Sequence, residues 1–143
     1  MDPYICISKI NGLSSLLGFF CGHQSYCGEV NSFRAFQQAK WNIEKYYTVV
    51  GLTEQFDEFL FVLQRLIPRY FRNVYQLYQT EGKPHLNKQP DGYAGRIPVP
   101  VTLNKLKFLL KYDYELYNFV KKRFYEQYMQ LKHRICTSTV LCS

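Results

Sequence analysis

Apolar and aromatic positions recur at helical spacing in several stretches of the chain, broken by one abrupt change of texture. In "NSFRAFQQAKWNIEKYY", Phe33, Phe36, Lys40 with Trp41, and Glu44 follow at helical spacing, and Asn31 or Ser32 stands where a cap would start the helix. "YYTVVG" then switches to β-branched and aromatic residues and stops at Gly51, which predicts a short buried strand over Tyr46 to Val50. Thr53 with Glu54 opens the next helix, whose apolar positions Phe56, Phe59, Leu60, Leu63 and Ile67 form one face. Pro68 closes that helix or sits in the first turn of another, "PRYFRNVYQLYQT".

The texture changes at residues 81 to 100, "EGKPHLNKQPDGYAGRIPVP", where four prolines and three glycines in twenty residues exclude regular structure and leave a long loop. Loops of this length in compact domains are mostly functional or disordered. Thr102 then caps a long helix with a stripe of Leu103, Leu106, Leu110, Tyr114, Tyr117, Val120, Phe124, Tyr128 and Leu131. Its other faces carry Lys105, Lys107, Lys111, Lys121, Lys122 and Arg123, and the tail "ICTSTVLCS" is expected to fray. No internal repeat occurs, and periodicity alone gives a mainly helical domain with a minor sheet.

At 143 residues the chain is long enough for one domain and too short for two. Apolar residues make up 47% and aromatics 17%, so a packed core forms readily and disorder is disfavoured. The net charge of +7 points to a polyanionic partner, whether nucleic acid, anionic lipid, nucleotide or acidic polysaccharide. The apolar stretch Leu13 to Phe20 is too short and broken for a membrane span, so neither an anchor nor a signal peptide is read here. No N-x-S/T acceptor for glycosylation is present.

Cys21 and Cys27 bracket "GHQSY" and admit three readings. Zinc with His23 would need a fourth ligand, and C-x-H-x3-C is not a familiar zinc spacing. A redox pair would normally be spaced C-x-x-C. A disulfide closing a small loop is geometrically easy and is the leading reading, and it would belong to an oxidising compartment. Cys6, Cys136 and Cys142 are an odd remainder. His23 has no orienting partner near it in sequence, so a histidine packed in the loop is favoured over an acid or base. His133, in "LKHR", is explained by the dipole at a helix end. The loop residues Lys83, His85, Asn87, Lys88 and Arg96 form a donor-rich set able to contact phosphate or sulfate. No Walker-type, G-x-G-x-x-G or G-x-S-x-G motif occurs.

Taken together, "FFCGHQSYC" and "AKWNIEKYYTVVGLTEQFDEFLFVLQRLIPRYF" resemble the C-terminal portion of the glycosaminoglycan 2-O-sulfotransferases, the heparan sulfate and uronyl enzymes. The likeness runs through "YQLYQTEGKPHLNK" into "YDYELYNFVKKRFYEQY", about residues 19 to 130, leaving residues 1–18 as a divergent segment and 134–143 as a tail beyond the sulfotransferase portion, 19–133. The resemblance implies an α/β, P-loop-kinase-like fold, mostly helical in this part, with the strand at Tyr46 to Val50 in the shared sheet. It implies an enzyme of the Golgi lumen or Golgi membrane. That enzyme would transfer a sulfo group from 3′-phosphoadenylyl sulfate, without a metal, to the 2-hydroxyl of a uronic acid in heparan or chondroitin/dermatan sulfate. It also implies a disulfide between Cys21 and Cys27.

By the same resemblance, Tyr78 matches a nucleotide-contacting tyrosine, and Pro84, His85, Leu86 and Lys88 fall in a loop that closes over the donor's adenosine 3′,5′-bisphosphate. Asn87, with Lys83 nearby, stands on the glycan side. The heparan enzyme has an arginine at the place of Asn87, so a charge and a bidentate sulfate fork are absent. The family's 5′-phosphosulfate loop and catalytic histidine match nothing in this chain, and His23 is not that histidine, so no catalytic residue is assigned. The partners implied are a sulfated glycosaminoglycan and, through the family's C-terminal association, a homo-oligomer. Two other classes are a non-catalytic basic module holding a nucleotide or sulfated glycan, and a basic helical protein on nucleic acid. The latter is opposed by the expected disulfide and by the lack of a nucleic-acid motif.

Overall fold

The computed structural model describes residues 16–81 and 100–138. Expectations that fall on 1–15, 82–99 and 139–143, including most of the Pro/Gly-rich loop, lie outside the described residues. The chain divides into two compact units, Met1–Tyr46 with Asn87–Asn118, and Tyr47–Leu86 with Phe119–Ser143. All regular elements among the described residues are helical. In chain order they are α1 (Leu16–Cys21), a 3-10 turn (Ser25–Gly28), α2 (Phe33–Tyr46), a 3-10 turn (Thr53–Gln55), α3 (Phe56–Leu66), α4 (Pro68–Phe71), α5 (Val74–Thr80), α6 (Pro100–Leu109) and α7 (Lys111–Ser138).

The first unit is organised around α1. Six residues are too few for a helix to persist alone, so its ends and its buried face must be held from outside. At the amino end the buried Asp113 carboxylate, in the first turn of α7, accepts a hydrogen bond from the Leu17 amide at 3.5 Å. A negative group there satisfies an orphan donor and opposes the positive end of the helix dipole. At the carboxyl end Asn42 Nδ2 donates to the Phe20 and Cys21 carbonyls at 2.8 and 3.0 Å, while Asn42 Oδ1 accepts from Gln38 Nε2 at 3.0 Å. Leu17 and Cys21 are buried, and so are Ala35, Ala39 and Ile43 of α2. The small Ala35 and Ala39 side chains, one turn apart, allow close approach of the two helices.

The start of α2 follows the sequence. Asn31 takes a left-handed conformation with φ of 58°, and Ser32 Oγ accepts from the Ala35 amide at 3.4 Å. Its buried stripe does not coincide with the aromatic one: Phe33 and Trp41 are half exposed, and Ala35, Ala39 and Ile43 face inward instead. The helix was legible, but the face that periodicity would bury was not.

In the second unit the strand expected over Tyr46 to Val50 is not formed. Tyr46 ends α2 and is 65% exposed, and no strand occurs among the described residues. The extended segment has side chains where a ladder would have a neighbouring strand: Arg123 Nη2 donates to the Tyr47 carbonyl at 3.1 Å and Gln127 Nε2 to the Thr48 carbonyl at 2.9 Å. The α/β, P-loop-like architecture is therefore not seen in the described residues, which are mostly helical. Gly51 follows, and a Cβ there would overlap the Phe59 ring, so only glycine admits this approach. Leu60, Val62 and Leu63 are the buried residues of α3.

Pro68 stands in the first turn of α4, but "PRYFRNVYQLYQT" is not one helix. Arg72 leaves helical geometry and Asn73 has φ of 61°, which separates α4 from α5. The long C-terminal helix is likewise divided between α6 and α7 at Leu110, although the Leu110 amide bonds Leu106 and the Tyr114 amide bonds Leu110. Thr102 is not the cap: α6 begins at Pro100, whose fixed φ suits a first helical position, and Thr102 is buried two residues inside. Along α7 the buried positions are Asp113, Leu116, Val120 and Phe124, which retains Val120 and Phe124 of the expected stripe and shifts the rest.

Asn42→Ala removes the donor that serves two part-buried carbonyls. It is expected to lower the unfolding free energy by about 1–2 kcal/mol, read by urea titration, with Gln38→Ala costing less.

Candidate functional site

Cys21 and Cys27 form a disulfide with Cα atoms 5.6 Å apart, joining the end of α1 to the following 3-10 turn. Both half-cystines are buried. Gly22 makes the turn possible with φ of +106°, a conformation that a side chain would strain. The staple reading is thus the one the structure holds, and among the described residues no group of three His, Cys, Asp or Glu could hold a metal ion. His23 lies exposed in the closed loop and is not packed there as expected. His133 is exposed near the end of α7.

Of the residues matched to donor or glycan contacts, Tyr78 lies within the described part. Lys83, Pro84, His85, Leu86, Asn87 and Lys88 lie outside it. Tyr78 is half-buried on α5, its ring meeting the Phe56 ring edge-on with centroids 5.2 Å apart. α5 is fastened to α3 by two further contacts: Gln79 Nε2 donates to Asp57 Oδ1 at 3.3 Å, and the Tyr75 amide donates to Gln64 Oε1 at 3.3 Å. The Asn73 break is what turns α5 so that both contacts form.

One turn before Tyr78, Tyr75 lines an open hollow of about 350 Å³ with Asp57, Glu58, Phe61, Tyr128 and Lys132. Its aromatic walls meet edge-on, Phe61 to Tyr75 at 6.3 Å and Phe61 to Tyr128 at 5.7 Å. Lys132 Nζ stands 4.8 Å from the Tyr128 ring centroid. Asp57 and Glu58 are carboxylates, so this hollow does not concentrate positive charge for a phosphorylated ligand. Cations for such a ligand fall in the sequence of the loop instead, at Lys83 and Lys88.

Sequence reasoning also passed over a surface on α2. Phe33, Phe36, Gln37, Lys40, Trp41 and Glu44 bound a shallow hollow of about 350 Å³ on the exposed side of the helix. The signal was present in the stripe itself, because Lys40 and Glu44 at one-turn spacing are charges that a core face would not accept. Of the basic residues on the last helices, Lys111 and Lys122 make exposed i,i+4 pairs with Glu115 and Glu126 at 4.0 and 3.9 Å, contacts that contribute little.

No family profile matches the chain. Among curated proteins it is similar to heparan sulfate 2-O-sulfotransferase 1 of Gallus gallus, 38% identical over 108 residues that make up 74% of this chain and 30% of that protein. The enzyme of the same name from Homo sapiens gives the same values. Uronyl 2-sulfotransferase of Homo sapiens is 28% identical over 110 residues, 77% of this chain and 27% of that protein. The similarity to the heparan enzymes thus extends over about three quarters of the chain. The chain spans about 30% of the length of the heparan relatives. Among the described residues no helix is long and apolar enough to cross a membrane.

Phe56→Ala would leave one face of Tyr78 without its ring partner. Because Phe56 is 42% exposed, the expected loss of stability is about 1–2 kcal/mol, below the 3–5 of a fully buried phenylalanine, read by urea titration.

Proposed function

We propose that this chain serves sulfo transfer from 3′-phosphoadenylyl sulfate to the 2-hydroxyl of a uronic acid in heparan or chondroitin/dermatan sulfate, in the Golgi lumen. The observation that carries the reading is the 38% identity to heparan sulfate 2-O-sulfotransferase 1 over 74% of the chain. The buried disulfide supports it, since such bonds persist in the oxidising secretory pathway. The charge of +7 suits both the phosphorylated donor and the acidic glycan.

In this reading the chain's share of the chemistry is to hold the donor. Tyr78, presented by α5 against Phe56, meets the nucleotide. Pro84, His85, Leu86 and Lys88 close over the adenosine 3′,5′-bisphosphate, where the Lys88 ammonium offsets phosphate charge. Lys83 and Asn87 face the glycan, Asn87 offering an amide donor in place of a guanidinium fork. Sulfo transfer further requires a base for the acceptor hydroxyl proton and cations aimed at the charge developing on the transferred group. No described residue of this chain is assigned those roles. The fact that the chain spans about 30% of the heparan relatives favours a second reading for the isolated polypeptide, a basic module that holds nucleotide or sulfated glycan without turnover.

Calorimetric titration of the oxidised chain with adenosine 3′,5′-bisphosphate is expected to show saturable binding. Tyr78→Ala should weaken it several-fold, and Lys83→Glu with Lys88→Glu by about tenfold, with a strong dependence on salt. Transfer of radiolabelled sulfate to desulfated heparan separates the two readings. Turnover supports the enzyme, binding without turnover supports the holding module, and absence of nucleotide binding contradicts the role given to Tyr78 and the loop.

A further inference from the structure

Helix α2 turns a mixed aromatic and basic face to solvent: Trp41 is 46% exposed, Phe33 52% and Tyr46 65%. Two shallow hollows flank Trp41 and share Gln37 with it. One, of about 350 Å³, is completed by Phe33, Phe36, Lys40 and Glu44, and the other, of about 520 Å³, by Tyr26, Arg34 and Gln38. The cations along this face stand against aromatic rings. Arg34 Cζ lies 4.1 Å from the Tyr26 centroid, Lys45 Nζ 4.4 Å from Trp41, and Lys40 Nζ 5.5 Å from Phe36. A cation already steered by a ring loses less side-chain freedom when an anion arrives. The face therefore presents aromatic plates, positive charges beside them, and the amides of Gln37 and Gln38 between.

We propose that this face of α2 is a docking surface for an acidic polysaccharide, with Trp41 as the plate for a sugar ring, Arg34, Lys40 and Lys45 meeting sulfate or carboxylate groups, and Gln37 and Gln38 meeting hydroxyls. A pyranose ring has a C–H face that packs on an aromatic plate and a rim of hydroxyls that needs both donors and acceptors, which amides supply. Glu44, at the edge of one hollow, can accept from sugar hydroxyls that lie between the charged groups. The disulfide in the same unit belongs to compartments where acidic polysaccharide, and not nucleic acid, is the polyanion at hand. The surface goes beyond the sulfo-transfer reading: it uses none of the residues matched to donor or glycan contacts, and holding a glycan requires no donor.

Trp41 is the chain's single tryptophan, so its emission reports on this surface alone. The test titrates the full, oxidised chain with a heparin oligosaccharide and follows tryptophan fluorescence. The expected result is a saturable change that weakens with salt. By calorimetry, Lys40→Glu with Lys45→Glu is expected to cut heparin affinity on the order of tenfold and Trp41→Ala several-fold. Trp41 and Lys45 are exposed and Lys40 is half-buried, and unchanged helical circular dichroism confirms the fold. The wild-type titration stands even where a variant fails to fold. Heparin binding with no movement of Trp41 emission overturns the proposal, as does absence of heparin binding or full affinity in the double α2 variant. Tighter binding of single-stranded DNA or of phosphatidylserine vesicles at the same salt also overturns it. A chain that transfers no sulfate yet shows the Trp41 response loses the enzyme reading alone, and one that binds nucleotide without that response loses this inference alone.

Discussion

The fastening of α1 is the constraint on which the first unit depends. A helix of six residues has more unsatisfied ends than internal hydrogen bonds, and it exists here because each end is claimed by a side chain from elsewhere in the chain. Asp113 takes the Leu17 amide, Asn42 supplies the terminal carbonyls, and the Cys21–Cys27 bond fixes the exit. A bridge closing so small a loop contributes about 2 kcal/mol by chain entropy, a large part of the margin by which a small unit stays folded. Asn42 lies one residue before the buried Ile43 on α2, so the fastening of α1 and the burial of α2 are set by the same turn. That leaves the opposite side of α2, with Trp41, turned to solvent.

The second unit is built on a different economy of polar groups. Its entry segment, Tyr47 to Leu52, has no neighbouring strand among the described residues, and the Arg123 and Gln127 side chains take two of its carbonyls. Gly51 then lets Phe59 approach the backbone, and the Asn73 break reorients the chain into α5, which carries Tyr78. The residue given a donor-contacting role is thus positioned by two local features: an asparagine in the left-handed region before α5 and an edge-on contact with Phe56.

Helix existence was legible from periodicity, and the start of α2 from its Ser32 cap, whereas Thr53 lies in a 3-10 turn and α3 begins only at Phe56 without a side-chain cap. Three things were not legible. The strand was read from β-branched residues at Thr48, Val49 and Val50, but propensity forms a strand only where a neighbour supplies the ladder. The break at Arg72 and Asn73 carries no proline or glycine, and asparagine's tolerance of positive φ is too weak a signal on its own. The buried face of α2 was hidden because alanine contributes little to an apolar pattern, although Ala35 and Ala39 are what permits close packing. In the candidate site, the cysteine pair was read first from the small loop it closes and again from the resemblance, and the bond forms, whereas Tyr78 was named by the resemblance alone. The aromatic-basic face of α2 went unread because its Phe and Trp positions mimic a core stripe.

The measurement that tests this account most directly is amide hydrogen exchange across residues 16 to 46, compared between the oxidised chain and the chain with its cysteines reduced and blocked. The account predicts that reduction strips protection from the Leu17–Cys21 amides by about tenfold or more and weakens it along the Asn42 turn of α2. Identical protection in the two forms would contradict it, because α1 would then stand without its staple.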